Sequence, residues 1–348
     1  MTDQLADSAE RLFTAHCGKE ILHAAEDGTW PLALWDAVEE AGFCAALLPE
    51  EAGGFGISVP EAFGLLRVAA RHAAPIPLAE TMLSGWLFAR AGMAVPAGIL
   101  TLAPVRRNER LTLTRAGADW RLSGTATRVP WGRKADAAAV LAAGPDGPML
   151  VKLAQGAFTV TPGANLAAEP RDTITIDAEV AAADAVPWPF PAEALRLAGA
   201  AVRTAQIAGA LARVLEMSVQ YAQTRVQFGR PIGKFQAIQH NLAILAGQSA
   251  AALAASDMAA DAFGELTPMI IAAAKARAGE AASIAAGLAH QAHGAIGFTQ
   301  EYELHYATRR LWSWRDEFGT EAEWNALVGR AALAAGGDGL WPAITAAG

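Results

Sequence analysis

The sequence predicts an α+β protein that is mostly α, in three consecutive parts. These are an N-terminal helical domain over residues 1–96, an antiparallel β-domain over 97–188 and a C-terminal four-helix bundle over 189–348. Apolar residues recur every three or four positions in the first and last parts, which is the period of an amphipathic helix. In the middle part the period shortens to two, as in strands. We therefore expect the order helix, sheet, helix.

The helices of the first part follow from apolar spacing interrupted by helix breakers. Leu34, Trp35 and Val38 lie on one side of a helix of 3.6 residues per turn, and similar spacing recurs over 63–68 and 82–88. Glycine and proline clusters separate these runs. The first part is therefore expected to contain several short helices.

The strands of the middle part are short runs rich in alternating or β-branched residues, separated by glycine, proline and aspartate. The runs lie at 111–114, 120–124, 138–141, 149–153, 158–161 and 173–177. Prolines punctuate residues 187–191, which predicts a linker to the third part.

The third part is expected to be an antiparallel helical bundle. Its predicted helices cover residues 192–224, 234–263 and 267–293, with a final pair after residue 301. Alanine is frequent in these segments, which favours helix formation and allows helices to approach closely. Two breaks rich in glycine interrupt the pattern.

Composition limits the classes of function. The 348 residues suffice for two or three packed layers, and a net charge of −8 argues against binding to nucleic acid or an anionic membrane surface. A hydrophobic content of 53% predicts that apolar surface is buried between subunits, and hence an oligomer. No uninterrupted apolar run approaches the roughly 20 residues of a membrane span, and the N-terminus is acidic, so we expect a cytoplasmic protein.

The first break covers residues 225–240 and begins Arg-Val-Gln-Phe-Gly-Arg-Pro-Ile-Gly. Arg225 stands where a helix ends, and a guanidinium offers planar, bidentate donors suited to phosphate. Gly229 and Gly233 allow a ligand to come close to the backbone. An ordinary turn between helices with a solvated Arg225 is the alternative.

The second break covers residues 290–302, where Gly294 and Gly297 end a helix. Together the breaks resemble the acyl-CoA dehydrogenase family, whose C-terminal domain carries Arg-x-x-Phe-Gly-x-x-Ile-x-x-Phe-Gln and Gln-x-x-Gly-x-x-Gly-Phe-x-x-Glu-Tyr blocks in this order and spacing. The segments 34–43 and 48–56 are similar to the family's N-terminal helix and glycine-rich loop. The chain also resembles the smaller, base-poor subunits of heteromeric bacterial enzymes of this family.

The resemblance implies α,β-dehydrogenation of an acyl-CoA thioester, with FAD as hydride acceptor and an electron-transfer acceptor downstream, as in fatty acid metabolism. In the family, one subunit holds the adenosine diphosphate end of its neighbour's FAD. We refer to the matching residues as the across-subunit half-site: Arg225, Gln227, Phe228, Gln291 and Gly294. The resemblance implies that Arg225 meets the pyrophosphate, Phe228 the adenine, and Gln291 a polar group. Gly294 and Gly297 could instead be simple helix terminators.

The half-site that a subunit builds for its own FAD departs from the family pattern. The family's Thr-Glu-Pro-Gly-like loop is absent from residues 100–105, and Arg128 and Pro130 stand where the family has Trp and Ser/Thr. Trp131 remains a candidate to lie against the flavin ring, with plain packing as the alternative. Thr320, in a Gly-Thr pair, is a further flavin candidate by resemblance.

The catalytic base is the sharper departure. The family's usual glutamate falls at Phe318 here, and its second known position falls near Gly199, where no acid stands. Glu317 and Asp316 remain candidates, although adjacent side chains on a helix point about 100° apart. The alternative is an acidic turn that pairs with a nearby arginine. The arginines in question are Arg309, Arg310 and Arg315.

Three functions remain open. The chain is itself a dehydrogenase, working as a homodimer or homotetramer with Glu317 or Asp316 as base; or it is the base-poor partner of a related, Glu-bearing subunit; or it is a non-catalytic scaffold without flavin. The missing base favours the partner. No metal site is predicted, because no cysteine or acidic cluster completes a ligand set with the histidines. These histidines are His290, His293 and His305.

Overall fold

The protein is described by a computed structural model covering residues 2–345. The chain forms two compact units. The first comprises Met1–Leu65 and Ala74–Gly199, and the second comprises Leu66–Ala73 and Ala200–Gly348. The order of helix, sheet and helix is confirmed, whereas the predicted boundaries at 96/97 and 188/189 stay predictions.

Five helices precede the sheet, as the apolar spacing predicts. They are α1 (Thr2–His16), α2 (Lys19–Glu26), α3 (Leu32–Glu40), α4 (Val59–Arg71) and α5 (Leu78–Arg90). Leu34, Trp35 and Val38 are all buried on α3, so the residues that predicted this helix form its packed side. Helix α5 is buried on nearly all sides over its first eleven residues, which explains its weak amphipathic pattern.

The sheet of the first unit has eight strands. They are β1 (Leu100–Ala103), β2 (Thr112–Ala116), β3 (Asp119–Pro130), β4 (Ala137–Gly144), β5 (Gly147–Ala154), β6 (Phe158–Thr161), β7 (Arg171–Val180) and β8 (Ala185–Pro187). Seven follow the order β6-β7-β3-β2-β4-β5-β8, and β1 pairs with β4. Leu122, Val140 and Ile174 are fully buried in the core of the sheet.

The sheet is mixed rather than purely antiparallel, which corrects the sequence prediction. Strand β1 enters beside β4 instead of beside β2, its neighbour in sequence, and β1 and β4 run in parallel. A single residue pair, Thr112 with Ala143, also joins β2 to β4 in parallel. Most of the remaining strand pairs are long and antiparallel, as the alternating sequence pattern predicts.

The second unit is helical, with one small hairpin. Besides the end of α4, it contains α6 (Ala194–Thr224) from Ala200 onward, β9 (Val226–Gln227), β10 (Arg230–Pro231), α7 (Gln236–Asp261), α8 (Pro268–His293), α9 (Leu304–Trp314) and α10 (Glu321–Thr345). Each predicted helix is present within about two residues of its expected ends, the usual uncertainty of helix boundaries.

The core of the helical unit combines alanines with a few large side chains. Leu211, Leu311 and Trp314 are buried against alanines of α8 such as Ala282. Small residues bring backbones close, and Gly209 on α6 shows the extreme case. A Cβ atom there would lie 2.1 Å from the carbonyl oxygen of Arg67, so only glycine fits.

Among the described residues, α7 alone is long and apolar enough to cross a membrane by length and composition, with 33% of its most apolar window buried. Averaging hydropathy over a window thus identifies α7, whereas a search for an uninterrupted apolar run does not. Gln248, Ser249 and Ser256 interrupt the run, and α7 packs along α8. We therefore treat α7 as a bundle helix.

Candidate functional site

The first break folds as a tight hairpin that presents Phe228. Gln227 pairs with Arg230, and the two residues between them both have positive φ angles, 52° at Phe228 and 79° at Gly229. Two left-handed residues in a row form the turn that suits the twist of a hairpin. Glycine takes this conformation freely, whereas Phe228 adopts it with its ring 91% exposed. The hairpin thus holds an aromatic ring in solvent.

Arg225 is fixed through its backbone and unengaged through its side chain. Its amide donates to the Tyr221 carbonyl at the end of α6, and its carbonyl accepts from the Ile232 amide, each at 2.8 Å. Among residues 2–345 its exposed guanidinium forms no ion pair or hydrogen bond. The sequence prediction of a cation placed at a helix break therefore agrees with the structure, and its ligand stays a prediction.

The second break begins where α8 ends. Gly294 has φ 65°, and its amide donates to the His290 carbonyl, so this glycine terminates the helix. A Cβ atom on Gly294 would meet open space, whereas one on Gly297 would lie 3.2 Å from His290 Nδ1. Gln291 is exposed on the last turn of α8. The terminator role of Gly294 is thus visible, and its contact with FAD stays a prediction.

The histidines of this region are packing groups. The His290 ring stacks on Phe298 at 4.2 Å and on Trp312 at 5.5 Å between centroids, and its Nε2 lies 2.9 Å from Thr308 Oγ1. Burial lowers the pKa of His290, with smaller contributions from His293 and His305. A neutral, stacked imidazole supports the glycine turn sterically.

His293 is similarly engaged. Its Nδ1 lies 2.7 Å from the Ala289 carbonyl oxygen, and its Nε2 lies 3.2 Å from the Tyr302 hydroxyl. Burial is the main cause of the lowered pKa of His293. The ring also stacks on Tyr221, at 4.6 Å between centroids. These contacts brace the two breaks from within the bundle.

The acidic turn, residues 315–320 between α9 and α10, contains the candidate base Glu317. Its Oε2 accepts a hydrogen bond of 2.7 Å from Nε of Arg203 on α6. The Arg203 side chain is 2% exposed and that of Glu317 11%, so the ion pair is largely withdrawn from water. Arg203 also donates to Gln206. The carboxylate is thus already engaged by a buried cation.

Phe318, at the position of the family's usual base, is 3% exposed and has φ 58°. The guanidinium carbon of Arg203 lies 5.5 Å from the centre of its ring. An apolar ring and an engaged carboxylate therefore occupy the turn to which the sequence resemblance assigns the family's base. Sequence reasoning missed Arg203, although an isolated arginine among the apolar residues of 197–211 was a usable signal.

A buried lysine fixes the acidic turn from α8. Lys275 Nζ donates to the Arg315 carbonyl at 2.5 Å and to the Gly319 carbonyl at 3.3 Å. The Trp324 indole also donates to the Gly319 carbonyl, at 3.2 Å. Burial lowers the pKa of Lys275 to about 8, partly offset by the nearby carboxylates, Glu317 first among them. The backbone of the turn is thus held at both ends.

The pKa of Lys275 predicts a pH dependence of stability. Between its folded pKa of about 8 and the ordinary 10.5, the unfolded chain binds more protons than the folded one, so the contribution of this group to stability rises with pH. Thermal unfolding of the wild type and of Lys275→Met, compared from pH 7.5 to 9.5, should diverge by about 2 kcal/mol in favour of the wild type. Parallel profiles would contradict the buried, charged lysine.

The other residues of the turn have local roles. Asp316 is exposed and pairs with Arg315 at 3.5 Å, whereas Glu317 pairs with Arg203 on α6. The Thr320 amide donates to Glu323 Oε2 at 2.9 Å, which caps α10. Asp316 thus fits the alternative of a solvated, paired acid. Contact of Thr320 with flavin stays a prediction.

In the first unit, Trp131 packs within the fold. Its ring is 7% exposed and meets Trp30 edge to face at 6.0 Å between centroids. Its φ is 55°, and its amide donates to the Pro170 carbonyl at 3.1 Å. Just before it, a register shift in the ladder of β3 and β7 surrounds Arg128. These contacts fit the packing alternative for Trp131.

Fold and site define a class of helix–sheet–helix proteins with two glycine breaks in a helical bundle. The profile of the acyl-CoA dehydrogenase N-terminal domain matches residues 2–94, and that of the C-terminal domain matches residues 194–333. The chain belongs to the acyl-CoA dehydrogenase family, which is FAD-dependent in general. The resemblance seen in the sequence is confirmed.

Relatives and solved structures support this membership over most of the chain. Acyl-CoA dehydrogenase IpdE2 of Mycobacterium tuberculosis is 30% identical over 315 residues, covering 88% of this chain and 89% of the relative. Acyl-CoA dehydrogenase FadE27 of the same organism is 29% identical over 305 residues, covering 78% and 80%. A chain of the ChsE4-ChsE5 complex from Mycobacterium tuberculosis superposes with a TM-score of 0.85 at 25% identity, covering 96% of this chain and 97% of that one.

Proposed function

We propose that this chain is the base-poor subunit of a heteromeric, FAD-dependent acyl-CoA dehydrogenase. It lends the across-subunit half-site to the FAD of a related chain, and that chain supplies the catalytic glutamate. The observation that carries the proposal is the acidic turn: Phe318 stands at the family's base position, and Glu317 is bound to the buried Arg203.

The chemistry of the base explains why this turn matters. The family's reaction removes the acyl α-proton with a carboxylate, which must reach the α-carbon at hydrogen-bonding distance. For Glu317 to do so, it would have to leave Arg203 and expose a buried guanidinium to an apolar surrounding. Separating one partner from a buried ion pair costs about 3–5 kcal/mol. Asp316 is exposed beside Arg315.

The across-subunit half-site fits the adenosine diphosphate end of FAD. Arg225 offers an unengaged guanidinium, which suits a pyrophosphate, and Phe228 offers an exposed ring, which suits stacking on adenine. When bound, FAD supplies the hydride-accepting ring of the reaction. The half-site that this chain would build for its own FAD fits the flavin poorly, because Trp131 is buried against Trp30.

One similar solved structure supports the proposal of a mixed assembly. A structure similar to this chain at 25% identity is part of a complex of two named components, ChsE4 and ChsE5. We extend such an assembly to this chain, with a related Glu-bearing subunit as partner, an acyl-CoA thioester as substrate and an electron-transfer acceptor. We also propose a cytoplasmic location. The rival proposals are a self-sufficient homodimer or homotetramer that uses Glu317, and a scaffold without flavin.

Flavin absorption separates these proposals. We expect the purified chain to be colourless alone and to acquire FAD when mixed with the related Glu-bearing chain. A yellow homomer that is reduced by acyl-CoA would overturn the partner proposal in favour of the self-sufficient enzyme. If flavin is not bound under any condition, only the proposal of a scaffold without flavin remains.

The variant Glu317→Gln tests whether Glu317 is the catalytic base. In the mixed complex it should leave acyl-CoA-dependent flavin reduction unchanged, because the partner's carboxylate removes the proton. Flavin content is measured in parallel, so that loss of cofactor is not mistaken for loss of chemistry. Retained flavin with abolished reduction would assign the base to Glu317.

A further inference from the structure

The two breaks of the second unit meet at a cluster of three aromatic side chains, Tyr221, His293 and Tyr302, which we call the ring clamp. Tyr221 lies on the last turn of α6, His293 is the last residue of α8, and Tyr302 lies two residues before α9. The ring centroids are 4.6 Å apart for Tyr221 and His293, 5.8 Å for the two tyrosines, and 5.0 Å for His293 and Tyr302. Each ring therefore lies within the range of aromatic pairing with both of the others.

Hydrogen bonding fixes the orientation of the His293 ring. The Ala289 carbonyl, 2.7 Å from Nδ1, can only accept, so Nδ1 carries the hydrogen. In the neutral ring Nε2 is then an acceptor, and the Tyr302 hydroxyl donates to it at 3.2 Å. This bond joins the two ends of the segment 294–301, which contains the exposed Phe298. The neutral form of His293 thus closes the second break as a loop.

Tyr221 connects this closed loop to the first break. Its carbonyl accepts the 2.8 Å hydrogen bond of the Arg225 amide, and its ring stacks on His293. Gln291 precedes His293 by two residues on the last turn of α8. Tyr221 therefore sets the backbone that carries Arg225 relative to the backbone that carries Gln291.

We infer that Tyr221, His293 and Tyr302 are positioning residues that hold the two breaks in one arrangement, and that protonation of His293 releases this arrangement. The ring clamp acts through Arg225 and Gln291 and does not itself contact a ligand. That the arrangement serves FAD rests on the proposed function, whereas the coupling of the two breaks is a property of the chain alone.

Other ionisable groups face the ring clamp from the neighbouring elements. His290 lies on α8 one turn before His293, and His305 on α9 donates from Nδ1 to the Tyr302 carbonyl at 2.8 Å. Arg213 on α6 donates to Glu303 at 3.4 Å, and both charges act on Tyr302. Because Glu303 is already paired and His293 is only 4% exposed, protonation of His293 places a charge in a largely buried setting.

Acid is therefore expected to open the ring clamp. Burial lowers the pKa of His293 below its ordinary 6.5, and the carbonyls of Ala289 and Met217 offset part of this change. In an opened loop the imidazole meets water and regains its ordinary pKa. Between the lowered value and 6.5 the opened form binds more protons, so the closed form loses stability as the pH falls. Burial also lowers the pKa of His290, which acts in the same direction.

Amide hydrogen exchange of the isolated full chain tests the coupling without any cofactor. Tyr302→Phe removes only the hydroxyl that donates to His293. We expect it to raise exchange about twofold to tenfold in peptides covering 225–232 and 294–301, which is the effect of one neutral hydrogen bond. Exchange in the middle of α8 should not change, which distinguishes local opening from global unfolding.

Matched variants separate positioning from general destabilisation. Tyr221→Leu removes the stacked ring and should raise exchange in both breaks, whereas Tyr221→Phe keeps the ring and should match the wild type. Ser313→Ala removes a hydroxyl that donates within α9 at 2.9 Å, and it should leave both breaks unchanged. After correction for intrinsic exchange rates, His293→Gln should show a smaller increase in exchange from pH 7.5 to 5.5 than the wild type.

Two results of the exchange experiment would overturn the inference. One is that Tyr302→Phe loosens the second break alone and Tyr221→Leu the first break alone, because the breaks are then not coupled. The other is that His293→Gln responds to acid as strongly as the wild type, because His293 is then not the group that releases the arrangement.

FAD retention by the mixed complex tests what the arrangement serves. Tyr302→Phe should weaken retention about twofold to tenfold. The rate of flavin reduction at saturating FAD and acyl-CoA should equal that of the wild type, because no reacting group is altered. Wild-type retention in a variant with loosened breaks would overturn the link to the cofactor. If the breaks are coupled but no form binds flavin, the inference holds for the chain and the proposed function fails.

Discussion

Arg203→Met is expected to lower the free energy of unfolding by about 3–5 kcal/mol. The substitution keeps an unbranched side chain on α6 but removes the guanidinium whose Nε lies 2.7 Å from Glu317 Oε2. The remaining carboxylate, with its side chain 11% exposed, is left without that counterion. Lys275 Nζ is hydrogen-bonded to backbone carbonyls of the same turn. Urea denaturation followed by circular dichroism measures the loss.

A double variant and an exposed pair make this result interpretable. Arg203→Met/Glu317→Gln should recover much of the stability, because neither buried charge remains. Arg121→Met removes an arginine from its surface pair with Asp177, where both side chains are more than half exposed, and should cost less than about 1 kcal/mol. If Arg203→Met is no more harmful than Arg121→Met, the ion pair is not a structural feature of the acidic turn.

Arg225→Ala is expected to weaken retention of FAD by the mixed complex about tenfold to a hundredfold, with the fold intact. A hydrogen bond between charged groups contributes about 1.5–3 kcal/mol, which corresponds to this range. The guanidinium is exposed and forms no ion pair or hydrogen bond within residues 2–345, so its removal leaves no buried group unsatisfied. Fluorescence of free flavin released on dilution measures the effect.

The same hairpin supplies the control. Arg230→Ala removes an equal charge two residues beyond Phe228, but the guanidinium of Arg230 already lies 4.3 Å from the centre of the Phe235 ring. We expect its FAD retention to stay close to that of the wild type. Equal losses in both variants would indicate a general charge effect. Normal flavin content in Arg225→Ala would remove this residue from the half-site.

Helices and strands were predictable because their signals are local. The run that predicted a helix over 267–293 corresponds to α8 at Pro268–His293, where proline at the start and Gly294 at the end fix the boundaries. Arg225 was likewise placed at a helix end by the residues beside it. The position of this cation at a helix break therefore followed from sequence, whereas its role in a binding site stays a prediction.

Features that depend on distant residues were not predictable. Glu317 and Arg203 are separated by 114 positions, so no local pattern links them. Trp131 is buried by Trp30, a residue of the helical segment that precedes the sheet. The parallel pairing of β1 with β4 also depends on a crossover that alternation of apolar residues does not encode. Tertiary contacts decided each of these outcomes.

In the proposed mixed assembly, the exposed ring of Phe228 makes flavin binding sensitive to dilution of the subunits. Under the proposed function, this exposed aromatic group contributes to cofactor binding only while the neighbouring subunit is present. Flavin occupancy then follows the law of mass action for the subunits as well as for the cofactor. Holding protein concentration constant becomes a condition for measuring any flavin affinity of this protein.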